Sequence, residues 1–291
     1  MTKVQSKRFP NAVIIGAPKS GTSSLFFWLS AHPDVCGSKT KETYFLADGV
    51  SKFNRGLNFI ENGLDAYTRH FEHCQGEAIR LEATAPYIYM NNPFTVLPSL
   101  ETQPKIIVIL RKPSERLYSH YKFNRYRMKN IDMSFEEYLN PDNIPEGWQD
   151  YLEQTDYPLW IEKWQKAVGK DRLLVYQMEE MYRDKVQFMM KVASDLGINP
   201  EFYDGFDFFH RNKTVAVKSK KLHRLGLKFE PLVPQWLQEK IIPLYLKMNS
   251  SKVPPITARE KELKEQITRD YSESIHKLKA LVPTIDPTLW E

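Results

Sequence analysis

The sequence predicts an α/β fold: a central parallel β-sheet with helices on both faces. Three observations carry this. Short β-branched apolar runs, at Ala12 to Ile15, at 105–110 (KIIVIL) and at 172–176 (RLLVY), read as buried parallel strands. Each is followed by a stretch with helical apolar spacing, so strands alternate with helices. No segment recurs at a fixed period, which removes solenoid and propeller architectures.

The elements follow in order. Ala12-Val-Ile-Ile is the first strand, Gly16 to Gly21 a turn, and Thr22 onward a helix with Leu25, Phe26, Trp28 and Leu29 on its apolar side. His32-Pro33-Asp34 ends that helix. Ala78 to Glu82 is a further strand, and Lys105 to Leu110 is the clearest strand in the chain. Pro113 suits the first turn of the helix that opens at Lys112. Arg172 to Tyr176 is the next core strand, followed by a helix to about Leu196, closed by Gly197. Asn140 to Pro158 is rich in Pro, Asp, Asn, Gly and Gln and reads as a long surface loop; Lys247 to Pro255 reads as a second. Thr257 to Leu281 reads as one amphipathic, highly charged helix.

Size and composition bound the rest. A chain of 291 residues fits one domain over 1–291, with a core at about 10–230 and a helical extension at about 231–291. Hydrophobic residues at 42% and charged residues at 26% exclude disordered and low-complexity classes. Lys+Arg is 41 and Asp+Glu is 36, a balance of +5 that suits an anionic ligand but is too small and dispersed to indicate nucleic acid. The first ten residues lack the apolar core of a signal peptide, and no apolar run approaches the roughly 20 residues that span a bilayer. A cytoplasmic, membrane-free chain is expected. Cys36 and Cys74 are too few for a disulfide framework or a four-cysteine metal site. They are expected as reduced thiols, pairing only if the fold brings them together.

Two segments carry chemistry. Gly16-Ala-Pro-Lys19-Ser20-Gly21-Thr22-Ser23-Ser24 lies between a strand and a helix, where backbone N–H groups and the helix N-terminus converge on an anion. The spacing of its glycines is that of a nucleoside-triphosphate loop. However, Thr22 follows Gly21 where an NTPase has Lys, and the lysine sits inside the loop at Lys19. The pairing that holds Mg·NTP is therefore broken. The alternatives for this segment are a kinase or NTPase loop and a tight turn with no ligand. The second segment, ILRKPSERLYSHY at 109–121, repeats the strand–turn–helix arrangement. Arg111 stands at the strand's carboxyl end, where open α/β sheets bind ligands, and Ser119 lies two helical turns on. A guanidinium there suits a terminal phosphate; the alternative is a pair with Glu115. Two such elements imply a ligand with two separated phosphate groups.

Together these residues resemble the sulfotransferases that use 3′-phosphoadenosine-5′-phosphosulfate (PAPS). GAPKSGTSSL is similar to their 5′-phosphosulfate loop and ILRKPSERLYSHY to their 3′-phosphate motif. The likeness is to the heparan sulfate and bacterial branch, and three further segments extend it: His32-Pro-Asp-Val35, Lys41-Glu-Thr-Tyr-Phe45 and Leu81-Glu-Ala-Thr-Ala-Pro-Tyr87. It runs from about residue 10 to 230. The resemblance implies a P-loop-like sulfotransferase fold, PAPS as co-substrate with PAP as product, and no required metal. It implies Lys19 on the sulfate oxygens and Glu42 as general base. Lys19, Ser20, Gly21, Thr22, Ser23 and Ser24 would hold the 5′-phosphosulfate, and Arg111 and Ser119 the 3′-phosphate. Lys218, Ser219 and Lys220 loosely match a Lys-Gly-Arg loop that closes over the adenine and 3′-phosphate. His70, His73 and His120 are alternative bases. The branch usually has Lys at the position of Ala83, which turns the expectation from a heparan-type glycan toward a small-molecule or sugar acceptor in natural-product tailoring. The sulfuryl group would go to a hydroxyl, or to an amine or carbamoyl nitrogen. A protein that binds PAPS without transferring from it is the non-enzyme alternative. Tyr44, Phe45, Tyr87, Tyr89, Tyr126 and Trp148 would supply aromatic cleft walls or ordinary core.

Overall fold

The structure, a computed structural model, describes residues 8–146, 148, 150–208, 216–217 and 250–291. Its centre is a five-stranded sheet of β1 (Ala12–Gly16), β2 (Val35–Gly37), β3 (Ile79–Ala83), β4 (Lys105–Leu110) and β5 (Leu173–Gln177). The strands run parallel in the order β2-β3-β1-β4-β5. Along the chain lie the helices α1 (Thr22–Leu29), α2 (Asn91–Ser99), α3 (Pro113–Lys122), α4 (Tyr157–Val168), α5 (Met178–Arg183), α6 (Lys185–Leu196), α7 (Ala258–Asp270) and α8 (Ser272–Leu281).

The two-residue period of the strands explains why both faces are covered. Val13, Ile15, Val108 and Leu110 point to one side and pack with Ile161 and Trp164 of α4 and Leu278 of α8. Ala12, Ile14, Ile107 and Ile109 point to the other and pack with Leu25 and Trp28 of α1 and Met189 and Val192 of α6. The predicted apolar side of α1 is thus the buried side, and four of the five strands, β1, β3, β4 and β5, stand where the sequence predicts them.

Several elements differ from expectation. The three-residue β2 carries too little pattern to be read as a strand; it forms because Val35 and Cys36 pair in register with Ile79 and Arg80 of β3. The helix after β5 is broken at Asp184, whose carboxylate accepts from the Gln187 N–H at 3.0 Å and so starts α6 afresh. Its expected end at Gly197, in the left-handed region at φ +76, is found. The polar stretch 140–158 is a surface loop only in its first part: 141–143, 146 and 150 are exposed, and the chain turns inward from Tyr151. Tyr151, Gln154 and Thr155 are buried, and Tyr157 and Pro158 open α4. The organising group is the buried Arg116 guanidinium, which donates to Thr155 Oγ1 at 2.8 Å, Gln154 Oε1 at 3.2 Å and the Tyr151 carbonyl at 3.3 Å. Polar residues that read as solvated instead satisfy a buried cation.

The expected single helix at 257–281 is two. Thr257 and Glu260 form a capping box at the start of α7, and Tyr271 separates it from α8. The expected loop at 247–255 falls partly outside the described residues; its Ser250–Ser251 pairs antiparallel with Ala216–Val217. Cys36 and Cys74 are not reduced thiols: they form a disulfide. The connection out of β2 returns to β3, which pairs with β2, so position 74 arrives beside position 36.

Candidate active site

The chain leaves β1 toward β2 on one side and leaves β4 toward β5 on the other. The crevice between the carboxyl ends of β1 and β4 is therefore the point where the winding reverses, the place where open α/β sheets bind ligands. The two segments singled out in the sequence both end there. They are joined directly: the Ala17 N–H donates to the Ile109 carbonyl at 2.9 Å, and Arg111 donates to the Lys19 carbonyl at 3.3 Å.

The loop after β1 is built for close approach. A Cβ on Gly16 would lie 2.8 Å from Ile88 Cγ2, so only glycine fits there. Lys19 (φ 72) and Gly21 (φ 91) both take the left-handed region. The Ser20 N–H closes the turn onto the Ala17 carbonyl at 3.2 Å. The Ser20 side chain is fully buried, and its hydroxyl has no hydrogen-bond partner among the described residues. A buried hydroxyl left without a partner, in a turn at the head of a helix, is a donor that a ligand oxygen would satisfy. Thr22 is buried and Ser23 and Ser24 half-buried in the first turn of α1, where no side chain caps the helix. In donor chemistry, with hydroxyls at Ser20, Thr22, Ser23 and Ser24 at a helix N-terminus, the loop suits an anion.

Lys19 stands at the electrostatic centre. Its ammonium lies 4.2 Å above the Phe123 ring. Burial lowers its pKa to about 8, and Arg111, Arg127 and Lys122 press it the same way, while Glu42 opposes them. Three further cations and one carboxylate therefore surround this lysine. Arg127, Lys122 and Phe123 were not singled out in the sequence. The last turn of α3 and the wider turn at Phe123–Met128 carry them back over the loop, and no local pattern announces that.

Glu42 reaches the site on the segment after β2. Its N–H donates to the Ala83 carbonyl at 2.7 Å, and the Tyr44 N–H donates to Thr84 Oγ1 at 3.3 Å, which holds the segment to the end of β3. Both residues have positive φ, 59 for Glu42 and 49 for Tyr44. Non-glycine residues hold this conformation only where their surroundings demand it. Glu42 Oε1 accepts from Lys41 Nζ at 2.8 Å, and Oε2 accepts from the Tyr44 hydroxyl at 3.4 Å. Beneath them Glu82 is fully buried, and desolvation pushes its pKa up to about 7, against the Thr84 and Thr43 hydroxyls at 2.6 and 2.9 Å. Glu82 thus braces Thr43 and Thr84 on either side of the Glu42 attachment. It lies within the LEATAPY segment but was not picked out as a site residue.

Arg111 splits its fork between the Lys19 carbonyl and Glu115 Oε2, the latter at 3.3 Å. The sequence alternative of a Glu115 pair is thus realised together with the loop contact. Ser119 is half-buried one turn beyond Glu115. An open surface cleft of about 660 Å³ is lined by Arg111, Glu115, Met178, Glu179, Tyr182 and Arg183. Lys218, Ser219 and Lys220 lie outside the described residues. Among the alternative bases, burial pushes the pKa of His70 down to about 4 and that of His120 to about 3. His120 Nδ1 is 2.8 Å from the Tyr138 hydroxyl, and His73 donates to the Gly37 carbonyl at 3.1 Å beside the disulfide. Of the aromatic residues, Phe45 and Tyr87 are core; Tyr44 stays half-buried and stacks on the exposed Phe53 at 5.1 Å.

Comparison with known proteins returns one family. A family model described as "Sulfotransferase domain" matches residues 9–216. The chain is 33% identical over 142 residues, 46% of its length, to the membrane-associated sulfotransferase kil1 of Dictyostelium discoideum. It is 27% identical over 204 residues, 67% of its length, to human bifunctional heparan sulfate N-deacetylase/N-sulfotransferase 3. These matches cover 28% and 23% of those proteins, so the chain spans about a quarter of the length of these two relatives. The crystal structure of a sulfotransferase from Alicyclobacillus acidocaldarius shares the fold, with a TM-score of 0.69 and 21% identity over 97% of this chain and 99% of that one.

Proposed function

This chain belongs to the sulfotransferase domain family, and on that premise we propose that it transfers the sulfuryl group of PAPS to a small-molecule or sugar acceptor. The observation that carries the reading is that Arg111 donates to the Lys19 carbonyl at 3.3 Å while Glu42 is held at the end of β3 beside them, with the charges of Arg111 and Glu42 both acting on the Lys19 ammonium. Glu42 takes the proton from the acceptor hydroxyl as that oxygen bonds to sulfur. The bond from sulfur to the 5′-phosphate oxygen breaks, and its electron pair stays on that oxygen. Lys19 stabilises the charge left there, and PAP departs. Ser20, Gly21, Thr22, Ser23 and Ser24 hold the 5′ end; Arg111 and Ser119 hold the 3′-phosphate. Lys218, Ser219 and Lys220 would cover the nucleotide. The cations around Lys19 supply the charge this step needs, so the proposed chemistry calls for no metal.

Ala83 is buried and offers Glu42 only its carbonyl, where a lysine would offer a cation to an acidic polysaccharide. This supports a compact acceptor, as in natural-product tailoring, over a heparan-type chain. No helix among the described residues is long and apolar enough to cross a membrane. The Cys36–Cys74 disulfide favours an oxidising compartment over the cytoplasm expected from the sequence.

The test is an acceptor screen with PAPS, read as a mass gain of one SO₃ group, with Lys19→Ala and Glu42→Gln as controls. Transfer lost in Lys19→Ala supports the proposal. PAPS binding with no transfer to any acceptor class supports the non-enzyme alternative, and Mg·ATP hydrolysis without PAPS binding would point to a P-loop NTPase.

A further inference from the structure

Arg111, Glu115 and Ser119 follow one another at steps of four residues, and the Arg111–Glu115 contact at 3.3 Å shows that they share one face. On the donor-site reading above, a carboxylate stands between the two groups meant to hold a phosphate. Left alone, Glu115 would repel that phosphate and keep half of the Arg111 fork for itself.

The structure supplies a counterweight from far along the chain. Lys264 of α7 bonds through Nζ to Glu115 Oε1, the oxygen that Arg111 does not use. The helix bearing Lys264 is docked firmly on α3. Leu263 and Ile267 are buried with Leu117 and Tyr121, and the Ser114 and Thr268 hydroxyls meet at 3.0 Å. The Lys264 ammonium also lies 5.4 Å from the Tyr118 ring centre, and the Tyr118 hydroxyl donates to Glu260 of the same helix at 3.3 Å. Burial works against ionised Glu115, but Lys264 and then Arg111 outweigh it and hold its carboxyl below the usual range. The family match ends at residue 216, so α7 lies beyond it.

We propose that Lys264 is a positioning residue for the donor: it offsets the charge of Glu115 and so loosens the hold that Glu115 Oε2 keeps on Arg111 at 3.3 Å, letting the guanidinium take the terminal phosphate of an adenosine bisphosphate. This rests on the donor-site reading and gives the C-terminal helices a part in it. With Lys264, the Arg111–Glu115–Lys264 group has one net positive charge; without it, none.

The experiment is calorimetric titration of the full chain with adenosine 3′,5′-bisphosphate, alongside steady-state kinetics. Lys264→Met is expected to weaken binding about tenfold, as loss of one nearby charge predicts, and to raise KM for PAPS with kcat nearly unchanged. Lys264→Arg is expected to bind like the parent chain. Adding Glu115→Gln to Lys264→Met is expected to restore affinity, which a merely structural lysine would not allow. Unchanged affinity in Lys264→Met, or a double variant as weak as the single one, overturns the inference alone. Absence of binding by the parent chain overturns the donor-site reading and this inference with it.

Discussion

Arg111 donates to the main-chain carbonyl of Lys19 across 3.3 Å, so the two anion-binding turns are parts of one structure. Neither can shift without the other, and a ligand that spans them meets a preorganised site. That preorganisation matters because the donors do not have to be ordered at the moment of binding.

Arg111→Ala is expected to weaken adenosine 3′,5′-bisphosphate binding by about 1.5–3 kcal/mol, the range for hydrogen bonds to charged groups. Calorimetry measures it directly. Affinity within twofold of the parent chain would remove Arg111 from the phosphate site.

Lys19 carries a pH dependence of definite sign. Burial, then Arg111, lowers its pKa to about 8, so the free chain holds it charged below that pH and neutral above. A bound anion favours the charged form and raises the pKa again. Affinity for the bisphosphate should therefore fall as pH rises through about 8, with proton uptake on binding above it. Calorimetry in buffers of different ionisation heat detects that uptake; a pH-independent affinity in this range contradicts the assignment.

Glu42→Gln keeps the shape of the segment but removes the base. The expected loss in kcat is about 10²–10⁴-fold, the usual worth of a positioned general base, with bisphosphate binding retained. Full activity would end the assignment, and the neutral, half-buried His120 would then be the next group to test.

Ser20→Ala separates folding from binding. Its hydroxyl is buried without a partner, so its removal should leave stability unchanged or raise it by up to about 1 kcal/mol. Bisphosphate or PAPS affinity should drop in the same variant. A large loss of stability would show that the hydroxyl serves the fold.

The Cys36–Cys74 disulfide closes a loop with a sequence separation of 38 that contains Glu42. Chain-entropy arguments put its worth at about 3–4 kcal/mol. Denaturant midpoints of the Cys36→Ser/Cys74→Ser variant should fall accordingly, and coincident midpoints for reduced and oxidised chains would refute this.

What the sequence determined is what local pattern can encode. Short apolar runs marked β1, β4 and β5, because a strand buried on both sides needs both faces apolar whatever packs on it. The loop at 16–24 was legible because a strand, a glycine-bounded turn and a helix suffice to aim N–H groups at an anion. Lys19, Arg111 and Glu42 stood out by their place at the ends of such elements and by family likeness. The tertiary structure decided everything that depends on partners distant in the chain. Lys264 meets Glu115 across 149 residues, Cys36 meets Cys74 because β2 and β3 pair, and Gln154 and Thr155 are buried because Arg116 draws their polar groups inward. Whether a charge or a thiol is solvated or partnered is a property of its three-dimensional surroundings, and residue type alone leaves that open.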